Sequence, residues 1–282
     1  MNTEPLDGDL LFEGHRLTYS EYGEGERVLV LVHGLLMNRR MYDRLAPEMA
    51  SRGYRVITLD LLGHGRSDRP VDKRLYSMVS FGHQIAALLD HLELESPVVG
   101  GTSLGANSAL EFAVAYPNRA RALLVEMPVL DDALLGAALA FTPALLGLRF
   151  GRPILKVVAA VTSRIPRSSF MVDVGLDWIR QDPEASEAVL EGILFARTAP
   201  PHSEREKLTE PALVVGHPSD PLHPFSDAGM LVEEMRGAKL LHASSILEWR
   251  ISPDRLNNEL DDFLSASFAK PSANPDGVSA PV

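Results

Sequence analysis

Five residues, Gly101-Thr102-Ser103-Leu104-Gly105, constrain this chain more than any other stretch. They follow the apolar run Pro97-Val98-Val99-Gly100 and precede Ala106-Asn107-Ser108-Ala109-Leu110-Glu111-Phe112-Ala113, a segment of small, helix-competent residues. A G-x-S-x-G pattern in that setting predicts a short strand that turns abruptly into a helix and holds one serine at the tip. The glycines have a physical reason. So tight a turn strains the serine backbone and brings neighbouring main chain close, so the positions two before and two after must be nearly free of side chain.

Apolar runs alternate with helical periodicity on both sides of this turn. Leu10 to Tyr22 alternates around Glu13-Gly14 and predicts an antiparallel hairpin at a sheet edge. Val28-Leu29-Val30-Leu31-Val32, Tyr54 to Leu59, Ala120 to Pro128 and Pro211 to Gly216 are continuous apolar runs, the pattern of strands buried on both faces. Ala238 to Ala243 is expected to be the last strand. Helices are expected from near Arg40, from Met78 to Leu92 and from Pro253 to Leu264, the last capped by Ser252. The fold class is therefore α/β, with a mainly parallel central sheet and helices on both faces.

The alternation stops between Val129 and Leu208, far longer than an ordinary loop. Residues 129–208 are strongly apolar at helical spacing and predict an inserted helical cap; ordinary core helices give the same pattern. Their apolar runs, broken at Pro143 and Pro166, fall short of the roughly 18 to 20 residues needed to span a bilayer, so no membrane span is expected. The expected division is a core of residues 1–128 and 209–269, the cap between them, and a disordered Pro/Ser/Ala/Asn/Gly tail at 270–282.

Three landmarks in order, His33-Gly34 after one strand, Gly63-His64-Gly65-Arg66-Ser67 after the next and the G-x-S-x-G elbow after the one following, make the chain resemble the α/β-hydrolase fold over Leu10 to Leu264. The resemblance implies acyl transfer, with Ser103 as nucleophile, Asp220 as the acid after the penultimate strand, and the backbone N–H groups of Leu35 and Leu104 as an oxyanion hole. It also implies structural, loop-shaping roles for His33 and His64.

One element of that pattern is displaced. Relatives place the catalytic histidine after the last strand, where this chain reads Ser244-Ser245-Ile246-Leu247-Glu248-Trp249-Arg250-Ile251-Ser252-Pro253, with no histidine. His223, three residues after Asp220, ranks first as general base, His242 second, and Glu248 is the conceivable substitute. The leading expectation is a serine hydrolase acting on an ester, lactone or thioester of an apolar small molecule. The alternatives are a non-hydrolytic lyase, isomerase, cyclase or acyl-transfer step on the same fold, or a ligand-binding relative without catalysis.

Composition bounds the partners. A formal net charge of -11 argues against nucleic acid and against steering of anionic substrates. Cysteine is absent, which removes thiol catalysis and thiolate metal sites. His217 and His223 flank Asp220 in a proline-rich loop, a weak metal pattern with no second cluster behind it, so neither metal nor cofactor is expected. The acidic start, Met1 to Asp7, lacks the basic and apolar parts of a signal peptide, so a cytoplasmic location is the expectation. Oligomeric state and the identity of the substrate stay open.

Overall fold

In the computed structural model, which describes residues 4–269 apart from Arg167, Ser219 and Pro221, the apolar runs become one eight-stranded sheet. In chain order the strands are β1 (Leu6–Phe12), β2 (His15–Tyr22), β3 (Val28–Val32), β4 (Arg55–Leu59), β5 (Val98–Thr102), β6 (Ala122–Glu126), β7 (Ala212–Gly216) and β8 (Ala238–His242). Their spatial order is β1-β2-β4-β3-β5-β6-β7-β8. β1 and β2 form the antiparallel hairpin and β2 runs antiparallel to β4, while the pairings from β4 through β8 are parallel. Every residue of β3, β5, β6 and β7 is buried, because helices cover both faces of the sheet.

Those helices enclose two cores. On one face α2 (Met78–His91), α3 (Leu104–Ala115) and α8 (Phe225–Glu234) bury Phe81, Ile85, Phe112 and Leu231. On the other, α1 (Leu45–Ser51) and α10 (Asp254–Ala269) bury Met49, Leu256, Leu260 and Leu264. Ser77 caps α2 by accepting the Ser80 N–H at 3.0 Å, which fixes where that helix starts.

The helix expected from Arg40 is instead a single 3-10 turn, Arg39–Tyr42, and α1 starts at Leu45. Local bonds divert the chain. Asn38 caps the turn at the Arg40 N–H, and the Arg39 N–H donates to the buried Asp60 carboxylate at 2.7 Å.

Between β6 and β7 lie α4 (Leu134–Thr162), α5 (Phe170–Ile179), α6 (Pro183–Leu194) and α7 (His202–Arg205). The expected break at Pro143 does not occur: α4 runs 29 residues through both Pro143 and Pro153. Both prolines are exposed, so the carbonyl that each leaves without its helical donor can bond water rather than end the helix. No helix among the described residues is long and apolar enough to cross a membrane. The tail expected at 270–282 lies outside the described residues.

Candidate active site

β5 ends at Thr102 and α3 begins at Leu104, so Ser103 makes the whole turn, with φ +54° and ψ -109°. That positive φ is costly for a residue with a Cβ and persists because its surroundings over-determine it. The Ser103 N–H donates to the Glu126 carbonyl at 2.8 Å, and its own carbonyl accepts from the Asn107 N–H at 2.9 Å. Gly101 and Gly105 let β3 approach, since a Cβ on either would collide with the Val32 carbonyl oxygen. Sequence, strain and packing thus agree on one presented hydroxyl.

Beside it, the loop after β7 supplies an imidazole and a carboxylate. His223 Nε2 lies 2.9 Å from Ser103 Oγ, and His223 Nδ1 lies 2.8 Å from Asp220 Oδ2. A carboxylate only accepts, so Nδ1 carries the proton and Nε2 is the acceptor facing the serine hydroxyl. The other Asp220 oxygen accepts the Leu222 and His223 N–H groups at 2.9 and 3.2 Å. One carboxylate therefore shapes the loop and holds the ring. Burial pushes the Asp220 carboxyl up, but the hydrogen bond from His223 and those from the loop amides outweigh it and hold it below the usual carboxylate range.

Leu35 and Leu104 line one cavity with Ser103, of about 280 Å³. Leu104 is the first residue of α3, where an N–H has no acceptor within the helix. The rest of the wall includes Met78, Val129, Phe141 and Ile193 from α2, the segment after β6, α4 and α6. Asn107, the most polar member besides the serine, is already occupied: its amide bonds Val129 at both ends and the Thr198 carbonyl. Among the described residues, no charged side chain lines this cavity.

The other sequence candidates stand elsewhere. His242 ends β8, is exposed, and stacks on Phe225 with ring centres 4.5 Å apart. Glu248 is held by Arg255, with further bonds from Ser244, and Arg255 is the main reason its carboxyl is lowered to about 2. A carboxylate so stabilised is a poor proton acceptor. His33 accepts the Leu61 N–H at Nε2 and donates from Nδ1 to the Gly34 carbonyl, while His64 Nδ1 bonds the Leu62 carbonyl. Both rings are buried loop-shaping elements. Among the described residues, no group of three or more His, Asp or Glu side chains is arranged to hold a metal ion.

Behind the elbow lies a buried ion pair that sequence reasoning missed. Arg250, from the short α9 (Glu248–Ile251) after β8, forks onto both Glu126 carboxylate oxygens, and Thr102 Oγ1 also donates to Glu126. Burial would raise this carboxyl, but Arg250 above all holds it at about 2. His217 is drawn toward the same carboxylate at 3.5 Å and donates from Nδ1 to the Ser245 carbonyl. A lone glutamate ending the run Leu123-Leu124-Val125 was the available signal.

Comparison with known proteins matches this geometry to a family. A family model for the alpha/beta hydrolase fold matches residues 27–172. An epoxide hydrolase of Caballeronia sordidicola is 35% identical over 115 residues, 41% of this chain and 35% of that protein. An uncharacterized hydrolase of Bacillus subtilis is 31% identical over 167 residues, 57% of this chain and 56% of that one. The chain spans about a third of the length of the first curated relatives it matches. Among solved structures, the enol-lactonase from Burkholderia xenovorans LB400 superposes with a TM-score of 0.76 at 20% identity, over 92% of this chain and 100% of that one. The sheet order, the elbow and the matched family model together place this chain in the α/β-hydrolase fold family.

Proposed function

We propose that this protein is a serine hydrolase that cleaves an ester, lactone or thioester bond in an apolar small molecule. The observation that carries the proposal is the chain of contacts Asp220 Oδ2 to His223 Nδ1 at 2.8 Å and His223 Nε2 to Ser103 Oγ at 2.9 Å. Ser103 Oγ attacks the substrate carbonyl carbon as His223 Nε2 takes its proton. The Leu35 and Leu104 N–H groups stabilise the oxyanion; a donor of this kind is worth about a hundred- to a thousandfold in rate. The leaving alcohol or thiol departs with the proton held by His223, and water then attacks the acyl-enzyme by the same route.

Residues 129–208 act as the cap in this reading, since α4 and α6 contribute Phe141 and Ile193 to the cavity wall. A cavity of about 280 Å³ whose described lining carries no charge suits a compact, uncharged group. The curated names of similar proteins include an epoxide hydrolase, and those of similar structures an enol-lactonase and a thioesterase domain, so bond type is read from this site rather than borrowed from them. Turnover of a series of p-nitrophenyl esters by the wild-type chain and by Ser103→Ala tests the proposal. Short and medium acyl chains are expected to be cleaved by the wild type alone. Equal turnover by Ser103→Ala, or none by either, would remove the serine mechanism.

A further inference from the structure

Large apolar side chains are exposed on the helices between β6 and β7 in a number seen nowhere else in the described residues. On α4, Leu139, Leu146, Phe150, Ile154, Val157, Val161 and Ile165 recur at intervals of 7, 4, 4, 3, 4 and 4 residues, the last just past the helix end, and each is 45% exposed or more. This spacing puts them on one side of a helix about 43 Å long. The opposite side faces inward: Phe141 lines the cavity, and Leu145 and Leu148 pack on the core. α5, which packs against α4, adds exposed Met171, Val172 and Trp178. Contiguous apolar surface of this size marks a docking site.

Charge indicates the occupant. From Ala133 to Val172 the chain has five Lys or Arg residues and no Asp or Glu. Residues 129–208 as a whole carry nine basic and ten acidic side chains, against 18 and 28 in the rest of the chain. The inserted helices are thus the near-neutral part of an acidic protein, and α4 itself carries three Lys or Arg residues and no Asp or Glu. Arg152 is held on Glu187 of α6 by two hydrogen bonds, whereas Arg149 and Lys156 make only looser contacts, at 3.6 and 3.7 Å, with Glu191 and Glu184 of α6 and stay more than half exposed, so those two pairs contribute little. A helix with an apolar face and a Lys/Arg-bearing polar face suits the interface of a lipid layer. Pairing with α4 of a second copy fits less well, because the stripe is broader than a two-in-seven seam and Pro143 and Pro153 interrupt the helix surface.

We propose that the outer face of α4 and α5 docks on an anionic lipid surface, with the Ser103 cavity on the other side of the same helix. The surface lies on the helix that the functional reading takes as cap, but docking does not require catalysis and is measured without it. Co-sedimentation of the full chain carrying Ser103→Ala with phosphatidylcholine vesicles, alone or mixed with phosphatidylglycerol, tests it. Binding is expected to the anionic vesicles, to fall with added salt, and to weaken at least about tenfold in Phe150→Ser/Ile154→Ser, whose sites are exposed. Trp178 gives a second readout: it is exposed while the other tryptophan, Trp249, is buried, so its emission should shift to the blue on anionic vesicles. No binding to anionic vesicles, equal binding to neutral ones, or unchanged binding by the double variant would overturn the proposal. So would a dimer in sedimentation velocity that the double variant dissociates, because the face would then belong to a second copy. Failure of ester cleavage with vesicle binding intact would remove the hydrolase reading alone.

Discussion

Two loops at the same end of the sheet differ in what they bring to Ser103. The loop after β8, where relatives keep their histidine, is rich in charge, yet each of its charged groups described above is bound by a neighbour: Glu248 to Arg255, and Arg250 to Glu126. The loop after β7 holds both Asp220 and His223, and it alone of the two sends an imidazole to Ser103. Charge near a nucleophile is therefore not enough to nominate a base. What matters is a titratable ring with one nitrogen fixed and the other free to accept, as His223 has. In the proposed mechanism a base three residues from its acid depends on one short loop, whereas an arrangement split over two loops depends on two.

The largest expected effects are on the β7 side. In the proposed mechanism His223→Ala lowers kcat/KM for the best p-nitrophenyl ester by about 10⁴-fold or more, and Asp220→Asn by about 10⁴-fold through loss of the correct tautomer. Steady-state kinetics on folded protein checks both. Full activity in either variant would remove the β7 loop as the source of acid and base.

Next comes the ion pair behind the elbow. Glu126→Gln leaves the Arg250 charge, whose side chain is only 15% exposed, without its carboxylate and is expected to cost about 3–5 kcal/mol of stability, read as a lower urea midpoint. Glu126→Gln/Arg250→Met removes both charges and should recover most of that loss. If the single variant is as stable as the wild type, the β8 loop is not anchored by this pair.

Acid titration probes the two landmark histidines, His33 and His64. Burial lowers His33 to about 4 and His64 to about 3, from an ordinary 6.5. Both are neutral in the folded state, whereas the unfolded chain takes up protons below pH 6.5. Their contribution to stability is full above that pH and is lost as pH falls toward 4, by on the order of a few kcal/mol. Asp220, lowered from 3.8, adds its own loss only below that pH. Thermal unfolding followed from pH 7 to 4 should show the decline, and His33→Asn should flatten part of it. The smallest effect is expected at Glu248→Gln, less than about twofold in kcat/KM, because that carboxylate serves Arg255 and Ser244.

Much of this was legible in the sequence because it depends on local pattern. Continuous apolar runs gave the buried strands, Glu13-Gly14 the hairpin turn, and the paired glycines the elbow that β3 closes upon. Asp220 and His223 stood out by position and chemistry, although only tertiary geometry could bring His223 120 residues along the chain to Ser103. The 29-residue α4 was misread at Pro143, because sequence does not tell whether a proline faces solvent, where a helix survives it. Glu126 and Arg250 escaped notice for a different reason. They are 124 residues apart, and neither sits in a motif.

In the proposed mechanism the base comes from the β7 loop and not from the β8 loop. The most direct measurement is the rate at which a fluorophosphonate probe labels folded wild type, His223→Ala, His242→Ala and Glu248→Gln. Labelling at Ser103 should be lost in His223→Ala and should proceed at wild-type rate in the other two. Labelling that survives in His223→Ala, or that disappears in His242→Ala or Glu248→Gln, would contradict it.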